Sequence, residues 1–599
     1  MRFVRTFAVA SLWFLAGFCL AASAPAQEAS GGAAAPPPVD LQWGVKIAMR
    51  DGVRLNGTVF RPHGQKEPLP VIFTFTPYIS DSYTDRAEYF AGHGYVYVLV
   101  DVRGRGNSEG GFEPFANEGR DGYDVVEWLA RQSWSNGKVT MWGGSYAGFD
   151  QWTTLKEFPA HLATIVPAAA AHPGVDFPFQ YNISSPYIIQ WITFTSGATS
   201  NAKLFGDSAF WSAKWRELYE GHRAFQDLDR VVGNPSPIFQ KWLQHPTPDA
   251  YLDAMAPSPE QYRKIAVPIL TITGHYDGDQ PGAFTYYKRH MQYGTEEAKA
   301  NHYLIIGPWD HAGTRTPQRE FGGMKFGEAS VLDMNKLHTE WYDWTLKGGP
   351  KPAFLKKRVA YYVAGAEEWK YADTLEGIAG ARRTLYLASD GTAESVFHSG
   401  RLAEKYGAAA ASDHWTYDPL DTRAAQDVPV EERSPYTTQS GMMNLRGNGA
   451  VYHSEVFDAA TEVSGFAKLI LWLSMDVPDT DLEADLYEIL PDGGAVLLTS
   501  AAMRARYRES LRQEKLVTPG KMEKYVFDNF TFFSRRIAKG SRLRLLVRCP
   551  NTPEIEKNYN GGGVVAAESG KDARTAHVTL WHDAEHASAL ELPIVKAGE

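Results

Sequence analysis

The sequence predicts an α/β region followed by an all-β domain, and three observations carry this expectation. Between about residues 41 and 350, apolar strands alternate with amphipathic helices, which is typical of a parallel sheet covered by helices on both faces. Beyond about residue 352, short strands follow one another without intervening helices, and this favours a sandwich or jelly roll. A length of 599 residues is also too great for one hydrophobic core, so two or three domains are expected.

The N-terminus has the parts of a secretory signal peptide. Arg2 and Arg5 give a positive start, an apolar stretch runs from Phe7 to about Leu20, and Ala24-Pro25-Ala26 supplies a small-residue cleavage site. We therefore expect residues 1–26 to be removed and the mature protein to be periplasmic or secreted. A single membrane anchor is the alternative, but the apolar run is short for a span and no stop-transfer charge pattern follows it.

The composition limits which disulfides and which classes of binding partner can be expected. Residues 27–40 are rich in Gly, Ala and Pro and are expected to form a flexible linker. Cleavage after Ala26 would remove Cys19 and leave Cys549 alone, so the mature chain would have no internal disulfide. The net charge is −10 and no run of Lys or Arg stands out, which argues against nucleic acid, and against a membrane after cleavage, as partners. The oligomeric state stays open.

The elements of the α/β region can be placed in chain order. Asp51-Gly52 lies between two β-like runs and marks a hairpin. Apolar runs of four to eight residues predict the strands, and a period near 3.6 predicts the helices. The expected strands are 45–49, 53–60, 71–75, 95–100, 138–142, 268–273 and 302–306, and the expected helices are 84–91, 118–132, 146–157 and 332–346. In the later domain, 542–545, 577–581 and 590–595 are expected strands and Asp492-Gly493-Gly494 an expected hairpin.

Ser145 ends one of these strands and begins a helix, directly after Gly143 and Gly144. Glycines before a serine allow a sharp turn that exposes the hydroxyl and places the next backbone N–H near a developing oxyanion. The match to the G-x-S-x-G elbow is imperfect, because Ala147 takes the second glycine position and Gly148 comes one residue late. The alternative is a glycine-rich turn without chemistry.

A serine nucleophile needs a base, and the base needs an orienting carboxylate. In α/β-hydrolases the chain order is Ser, acid, His, and the later partners follow strands of the sheet. Asp277 follows strand 268–273 and His311 follows strand 302–306, so they are the candidate acid and base. The rivals are Asp279 for the acid, and His275 and His302 for the base.

Residues 173–258 interrupt the alternation with aromatic-rich sequence and with helical stretches near 209–219 and 237–243. This segment lies between the candidate nucleophile and the two other candidates. We therefore expect a helical cap over the active site. The alternative is a structural excursion with no role in substrate binding.

Several short motifs together resemble the cocaine esterase and X-Pro dipeptidyl-peptidase family of α/β-hydrolases, which also contains α-amino-acid ester hydrolases and glutaryl acylases. The resemblance covers most of the chain, and the family elbow G-x-S-Y-x-G accommodates both Tyr146 and the late Gly148. The motifs are Met49-Arg50-Asp51-Gly52-Val53, Thr76-Pro77-Tyr78, Asp101-Val102-Arg103-Gly104 with Ser108-Glu109-Gly110, Gly143-Gly144-Ser145-Tyr146, His275-Tyr276-Asp277 and Gly307-Pro308-Trp309-Asp310-His311.

The resemblance implies a set of roles for these residues. Ser145, Asp277 and His311 would form the catalytic triad, and the Tyr78 hydroxyl would join the backbone N–H of Tyr146 in the oxyanion hole. Without the resemblance, Tyr78 would be interpreted as a core tyrosine. The family architecture implies an α/β-hydrolase domain over 41–350, with the cap at 173–258, and a β-sandwich or jelly-roll domain over 351–599. No metal and no organic cofactor is expected.

The acyl group of the substrate is the open question. In the resembling α-amino-acid ester hydrolases a carboxylate cluster holds the substrate ammonium, partly from just after the triad acid. Asp279 lies two residues after Asp277 and Asp176 lies at the entry to the cap, but Gln280 stands where that subgroup has a second acid. The alternative is that Asp279 only caps the helix that begins near Pro281.

These observations predict a serine hydrolase that cleaves ester or amide bonds of small acyl substrates through an acyl-enzyme. An X-Pro dipeptidyl-peptidase or an α-amino-acid ester hydrolase is the alternative, and both act on small esters, amides or short peptides. A non-catalytic protein that binds carbohydrate through the β domain is a remote third possibility.

Overall fold

The computed structural model describes residues 39–406, 412–423, 436–439 and 443–595. The expected signal peptide 1–26 lies outside the described residues, and so does the expected linker up to residue 38. Its last two residues, Val39 and Asp40, belong to the first strand. Within the described ranges, no helix is long and apolar enough to cross a membrane.

Residues 39–372 build one large sheet, its covering helices and the cap. The strands are β1 (Val39–Ala48), β2 (Arg54–Pro62), β3 (Leu69–Thr76), β4 (Val96–Asp101), β5 (Ser135–Ser145), β6 (Leu162–Ala170), β7 (Phe179–Gln180), β8 (Ile183–Ser184), β9 (Ile269–Tyr276), β10 (His302–Asp310), β11 (Glu320–Phe321), β12 (Met324–Lys325), β13 (Val359–Val363) and β14 (Glu368–Ala372). The helices are α1 (Thr84–Gly92), α2 (Glu118–Ala130), α3 (Tyr146–Leu155), α4 (Tyr187–Phe194), α5 (Ala202–Phe205), α6 (Ser208–Glu220), α7 (Leu228–Val231), α8 (Pro237–Leu243), α9 (Ala250–Asp253), α10 (Pro259–Tyr262), α11 (Gln280–Tyr293), α12 (Glu296–Ala300) and α13 (Met334–Lys347).

The large sheet has the strand order β1-β2-β4-β3-β5-β6-β9-β10-β13-β14. Strands from β4 to β13 in this order run parallel, while β1, β2 and β14 pair antiparallel at the two edges. Because parallel strands end at the same edge, the residues after β3, β5, β9 and β10 are brought together. This sheet with its helices confirms the expected α/β fold.

The expected elements agree with the observed ones apart from their ends, but several observed elements were not expected, among them α4 and α12. The hairpin at Asp51-Gly52 joins β1 to β2. Strand β6 has no counterpart among the expected elements. The sheet also continues past the boundary expected at residue 350, because β13 and β14 are added to it after α13. Residues up to 372 therefore belong to the first sheet.

The segment between β6 and β9 holds α4 to α10 and forms the cap that the aromatic-rich sequence suggests. The expected helices near 209–219 and 237–243 correspond to α6 and α8. A separate hydrophobic core holds the cap together and joins it to helix α3 through Tyr146 and Phe149. Large rings dominate that core, among them Trp191, Trp211 and Trp242.

The remaining strands form a second, antiparallel-rich sheet system whose inward side chains make one extensive core. The expected hairpin at Asp492-Gly493 joins two of them in antiparallel register. The fold class of this domain is confirmed as all-β, while its jelly-roll topology stays a prediction. The strands are β15 (Ala381–Ala388), β16 (Gly400–Ala403), β17 (Ser412–Tyr417), β18 (Gly449–Ser454), β19 (Thr461–Gly465), β20 (Lys468–Met475), β21 (Asp481–Ile489), β22 (Ala495–Arg504), β23 (Glu523–Phe527), β24 (Phe533–Ile537), β25 (Arg542–Arg548), β26 (Ala576–Trp581) and β27 (Ala589–Ile594).

Candidate active site

Ser145 lies at the junction of β5 and α3 in a conformation that few residues adopt. Its φ is 62° and its ψ is −126°, which is a strained backbone for a residue with a side chain. Such strain at a strand-to-helix turn is the hallmark of a nucleophile elbow, since it holds the hydroxyl out of the helix. Ser145 therefore has the backbone geometry of an elbow, and its role as the nucleophile stays a prediction.

Neighbouring atoms lie so close to the glycines around Ser145 that a larger residue would not fit there. A Cβ at Gly148 would lie 2.8 Å from the carbonyl oxygen of Ala168 and 2.9 Å from the Cα of Ala170, both on β6. A Cβ at Gly143 would lie 2.5 Å from the Cβ of Ala147. Gly148 therefore lets α3 pack directly onto β6, which explains why the second glycine of this elbow comes one residue late.

Asp277 and His311 meet at the carboxyl ends of β9 and β10. Asp277 Oδ1 accepts a hydrogen bond from His311 Nδ1 at 2.8 Å, and the aspartate side chain is fully buried. Two further donors fix the carboxylate: the Thr273 hydroxyl on Oδ2 at 2.9 Å and the Asp279 N–H on Oδ1 at 3.0 Å. The rival bases lie elsewhere, because His302 bonds to Thr271 and His275 is buried against Phe532.

Asp279 is the second carboxylate beside His311. Its Oδ2 lies 3.8 Å from His311 Nδ1, a longer separation than that of Asp277. It occupies the N-cap position of α11, yet its side chain makes no capping hydrogen bond in the described structure. Its expected alternative role as a helix cap is therefore not seen. Burial raises the pKa of Asp279 well above its ordinary value, and the negative Asp176 and Asp277 add to this while His311 opposes it.

The two carboxylates change the pKa of His311. Burial alone would lower the pKa of its imidazole, but the charge of Asp279 and the hydrogen bond and charge of Asp277 outweigh burial and raise the pKa above its ordinary value. Arg315 opposes the rise. The carboxylates therefore favour the imidazolium form, which a general base must reach when it takes a proton.

Tyr78 lies two residues after β3, with its hydroxyl within hydrogen-bonding reach of the Ser145 side chain. The Trp191 Nε1–H donates to the same hydroxyl at 3.0 Å. Burial raises the pKa of the phenol, so it keeps its proton and can act as a donor. The expected alternative, a core tyrosine satisfied by a backbone carbonyl, does not describe these contacts.

Tyr146 follows Ser145, and its ring is locked far from solvent. The Tyr146 hydroxyl donates to Glu118 Oε1 at 2.6 Å and accepts from the Phe115 N–H at 2.6 Å. The pKa of Glu118 is raised to about 7, because burial outweighs the lowering effect of the hydrogen bond from Tyr146. These contacts hold the first turn of α3, and with it the Tyr146 backbone N–H, in a fixed position.

Asp176 lies at the cap entry and is held by two backbone donors. Its Oδ1 accepts from His172 N at 2.8 Å and its Oδ2 from Gly282 N at 2.6 Å. The pKa of Asp176 is raised to about 8, because burial and, less strongly, the negative charge of Asp277 outweigh the lowering effect of the two backbone bonds. Asp176 and Asp279 line the same cleft, and their role in substrate binding stays a prediction.

A cleft of about 490 Å³ opens beside these two carboxylates, between the cap and the β domain. Apolar and aromatic side chains such as Phe177, Tyr187 and Ile188 make up much of its wall. Its charged lining residues are all acids: Asp176, Asp279 and, from the β domain, Glu483. A cleft of this size can hold a small ligand, and Glu483 in its wall is paired with Arg548 at 2.8 Å.

Gln280 has a structural role that the sequence does not reveal. Its side-chain oxygen accepts from Phe532 N at 2.7 Å, and its side-chain nitrogen donates to Phe532 O at 3.0 Å and to Gly274 O at 2.9 Å. Gln280 is buried, so it is not free to bind a substrate. It ties the loop that carries Asp277 to the β domain, which therefore helps to position the acid.

Two family models match the chain in sequence. Residues 51–313 match the X-Pro dipeptidyl-peptidase model of the S15 family, and residues 354–591 match the C-terminal non-catalytic domain of X-Pro dipeptidyl-peptidases. The chain therefore contains an S15-family domain followed by the C-terminal domain that accompanies it in X-Pro dipeptidyl-peptidases. This confirms the resemblance seen in the motifs, and it makes the protein an enzyme of the serine-hydrolase class.

Several known proteins are similar to this chain over nearly its whole length. The cocaine esterase of Rhodococcus sp. (strain MB1 Bresler) is 26% identical over 583 residues, which are 92% of this chain and 98% of that protein. Among solved structures, an aminopeptidase from a marine sediment archaeon, Thaumarchaeota archaeon, has a TM-score of 0.81 at 21% identity and covers 97% of this chain and 100% of its own. An α-amino acid ester hydrolase has a TM-score of 0.80 at 21% identity, with 95% and 98% covered. These likenesses establish the two-domain fold.

The described residues contain no group of three or more His, Cys, Asp or Glu side chains arranged to hold a metal ion. Sequence reasoning missed three residues that shape the site: Trp191, Glu118 and, in its structural role, Gln280. Each acts on a partner that is distant in sequence, so local pattern could not reveal it. The aromatic richness of the cap was the only available hint for Trp191.

Proposed function

We propose that the protein hydrolyses ester or amide bonds of small acyl substrates through an acyl-enzyme on Ser145, with His311 as the base and Asp277 as the orienting acid. One observation carries this proposal: the buried Asp277 is bonded to His311 at 2.8 Å, at the end of the sheet where the strained Ser145 lies. The nucleophile, base and orienting group are the parts that acyl transfer needs.

The steps follow from these positions. His311 Nδ1 is bonded to Asp277, which leaves Nε2 to take the proton from the Ser145 hydroxyl as the oxygen attacks the substrate carbonyl. The developing oxyanion receives hydrogen bonds from the Tyr78 hydroxyl and the Tyr146 backbone N–H. The imidazolium then protonates the leaving alcohol or amine, and water hydrolyses the acyl-enzyme by the same route.

A fluorophosphonate probe tests the nucleophile directly. The mature protein should react with the probe, and peptide mass spectrometry should place the adduct on Ser145. The same preparation should turn over nitrophenyl esters, and prior labelling should abolish that turnover. Turnover that survives complete labelling, or an adduct on another residue, would refute the proposal. Failure to react and to turn over any ester or amide would favour the remote carbohydrate-binding alternative.

The acidic lining favours substrates whose acyl group carries a protonated amine. Burial, and then repulsion from the neighbouring carboxylates, raise the pKa of Asp176 and Asp279, while the cations His311 and Arg315 oppose the rise at Asp279. An incoming ammonium would relieve that repulsion, which is binding energy available only to a cationic substrate. The named activities of the two structural neighbours, an aminopeptidase and an α-amino acid ester hydrolase, agree with this preference.

Replacing Asp279 by Asn should separate charged from neutral substrates. For an alanine nitrophenyl ester, kcat/KM should fall about 10- to 100-fold, the value of one hydrogen bond to a charged group. For the N-acetylated ester, which has the same size but no charge, it should change by less than about threefold. Equal losses on both esters would show that Asp279 serves the catalytic machinery instead of the amine.

The acid limb of activity should lie above the ordinary imidazole pKa of about 6.5. His311 must be neutral to act as base, and the nearby carboxylates raise its pKa, so kcat/KM should fall as pH decreases through that raised value. In Asp279→Asn one of the charges that raise the pKa is gone, so the limb should move to lower pH. A pH profile with the N-acetylated ester measures this, and an unmoved or upward-shifted limb would contradict it.

The peptidase alternative depends on the leaving group. An X-Pro dipeptidyl-peptidase would cleave X-Pro anilides in preference to nitrophenyl esters of single amino acids. We rank esters and amides of single acyl groups first, and turnover of X-Pro anilides alone would reverse the ranking. Export to the periplasm or medium is a further proposal, which N-terminal sequencing of the mature chain after Ala26 would test.

A further inference from the structure

The hydrogen bond between Trp191 and Tyr78 has only one possible direction. An indole nitrogen can donate but not accept, so in the 3.0 Å bond the proton belongs to Trp191 and the Tyr78 oxygen is the acceptor. A phenol carries a single proton, which lies close to the plane of its ring. With one side of the oxygen occupied by the indole N–H, the Tyr78 proton is directed to the other side.

The second neighbour of the Tyr78 hydroxyl is the proposed nucleophile. Ser145 is a hydrogen-bonding neighbour of the Tyr78 hydroxyl, besides Trp191. In the proposed mechanism, the proton of Tyr78 is therefore available to Ser145 or to the oxyanion that forms beside it. A hydroxyl that accepts one hydrogen bond also becomes a stronger donor, because bonds in a chain polarise one another. Trp191 thus both aims and strengthens the donor.

Trp191 is held rigidly enough for this task. It is 4% exposed on α4, and its ring stacks on that of Tyr146 at 5.7 Å between centroids with 14° between planes. Phe194, on the same helix, stacks on the Tyr78 ring at 5.5 Å. One helix of the cap therefore contacts the rings of both residues that supply the oxyanion donors.

A buried arginine ties the Tyr78 loop to the end of this helix. Arg105 is fully buried, and it donates to Pro77 O at 2.8 Å and to Thr195 O at 2.7 Å. Pro77 precedes Tyr78, and Thr195 follows the last residue of α4. The distance between Trp191 and Tyr78 is therefore maintained by a second, independent link.

We propose that Trp191 is a positioning residue of the reaction: its indole N–H orients the Tyr78 hydroxyl so that the oxyanion hole is assembled only with the cap helix in place. This inference rests on the proposed function of Ser145. It adds to that function a dependence of catalysis on the cap, through one hydrogen bond whose loss affects the transition state more than substrate binding.

A double-mutant cycle tests the inference. Trp191→Phe keeps an aromatic ring and removes the N–H, and it should lower kcat about tenfold with KM within about twofold, as expected for one hydrogen bond. Tyr78→Phe should lower kcat about 10²- to 10³-fold, as for other oxyanion donors. The double variant should match Tyr78→Phe alone, because Trp191 acts through the hydroxyl that is already absent.

Trp211→Phe is the matched control. Trp211 is also buried in the cap, and its Nε1–H donates to Leu204 O at 2.7 Å, away from Tyr78. Its replacement removes the same chemical group and should leave kcat unchanged within about twofold. An equal loss in this variant would mean that the cap has merely been weakened, and would overturn the inference.

Two further outcomes would overturn it. One is an unchanged kcat in Trp191→Phe, and the other is a double variant in which the two losses multiply. If Trp191→Phe does not fold, benzothienylalanine at position 191 keeps the shape of the indole and replaces N–H by sulfur, with the same expected loss. Labelling of Ser145 by a fluorophosphonate in every variant keeps failure of this inference distinct from failure of the proposed nucleophile.

Discussion

Replacing Asp277 by Ala is expected to lower kcat about 10⁴-fold, as loss of the triad aspartate does in serine proteases. The buried Asp277 carboxylate accepts a hydrogen bond from the Nδ1–H of His311 at 2.8 Å. Without this carboxylate, the imidazole is free to turn and to carry its proton on the wrong nitrogen. The replacement also removes the negative charge that stabilises the imidazolium formed during attack. Pre-steady-state and steady-state kinetics with a neutral nitrophenyl ester measure the loss.

Asp279→Ala is the control for this prediction, because Asp279 is the rival acid and lies on the same loop. Its oxygen is 3.8 Å from His311 Nδ1, beyond hydrogen-bonding distance. The variant should therefore keep kcat on the neutral ester within about threefold. A larger loss from Asp279→Ala than from Asp277→Ala would reverse the assignment of the orienting acid.

The candidate triad could be proposed from the sequence because residues that follow parallel strands lie at the same edge of the sheet. Ser145, Asp277 and His311 each follow an apolar run, and the ends of parallel strands meet at one edge of the sheet. Once the runs are identified as parallel strands of one sheet, their carboxyl ends share an edge. Strands β9 and β10 are neighbours, which places Asp277 beside His311, while β6 lies between the strand of Ser145 and β9. The order of the residues along the chain then supplies their roles.

The supporting contacts could not be placed in this way. Trp191 reaches Tyr78 across 113 positions of sequence, and Gln280 reaches Phe532 across 252. Such contacts depend on how the cap and the β domain dock, and no local periodicity encodes docking. The last two strands of the first sheet, β13 and β14, were not assigned to it from the sequence. Their composition resembles that of the β domain that follows.

Replacing Arg504 by Met is expected to destabilise the contact between the cap and the β domain by about 3–5 kcal/mol. Arg504 is buried, and its guanidinium bonds to Asp481 at 2.8 Å and to Glu556 at 3.0 Å. It also donates to the backbone oxygen of Asn182, in the turn between β7 and β8 of the cap, at 2.9 Å. Methionine fills part of the space but leaves two buried carboxylates without their cation.

The chain has more than one domain, so a single unfolding free energy is not the quantity to measure. Calorimetry should show the transition of the β domain lowered by roughly 6–20 °C. Hydrogen exchange should increase at residues 179–184, because Arg504 holds that turn. Arg512→Met is the matched control: Arg512 also joins the β domain to the cap, through Asp253, but that ion pair is about half exposed and should contribute less than about 1 kcal/mol.

The pH dependence of the Arg504→Met defect distinguishes unpaired charge from poor packing. Burial already raises the pKa of Glu556 above its ordinary value, although Arg504 opposes the rise. Without Arg504 the pKa must rise further, so the carboxyl binds a proton in the folded state at a pH where the unfolded chain stays ionised. Lowering the pH through that raised value neutralises the buried carboxyl and should therefore reduce the difference in stability between variant and wild type. A difference that does not change with pH would assign the defect to lost packing instead of unpaired charge.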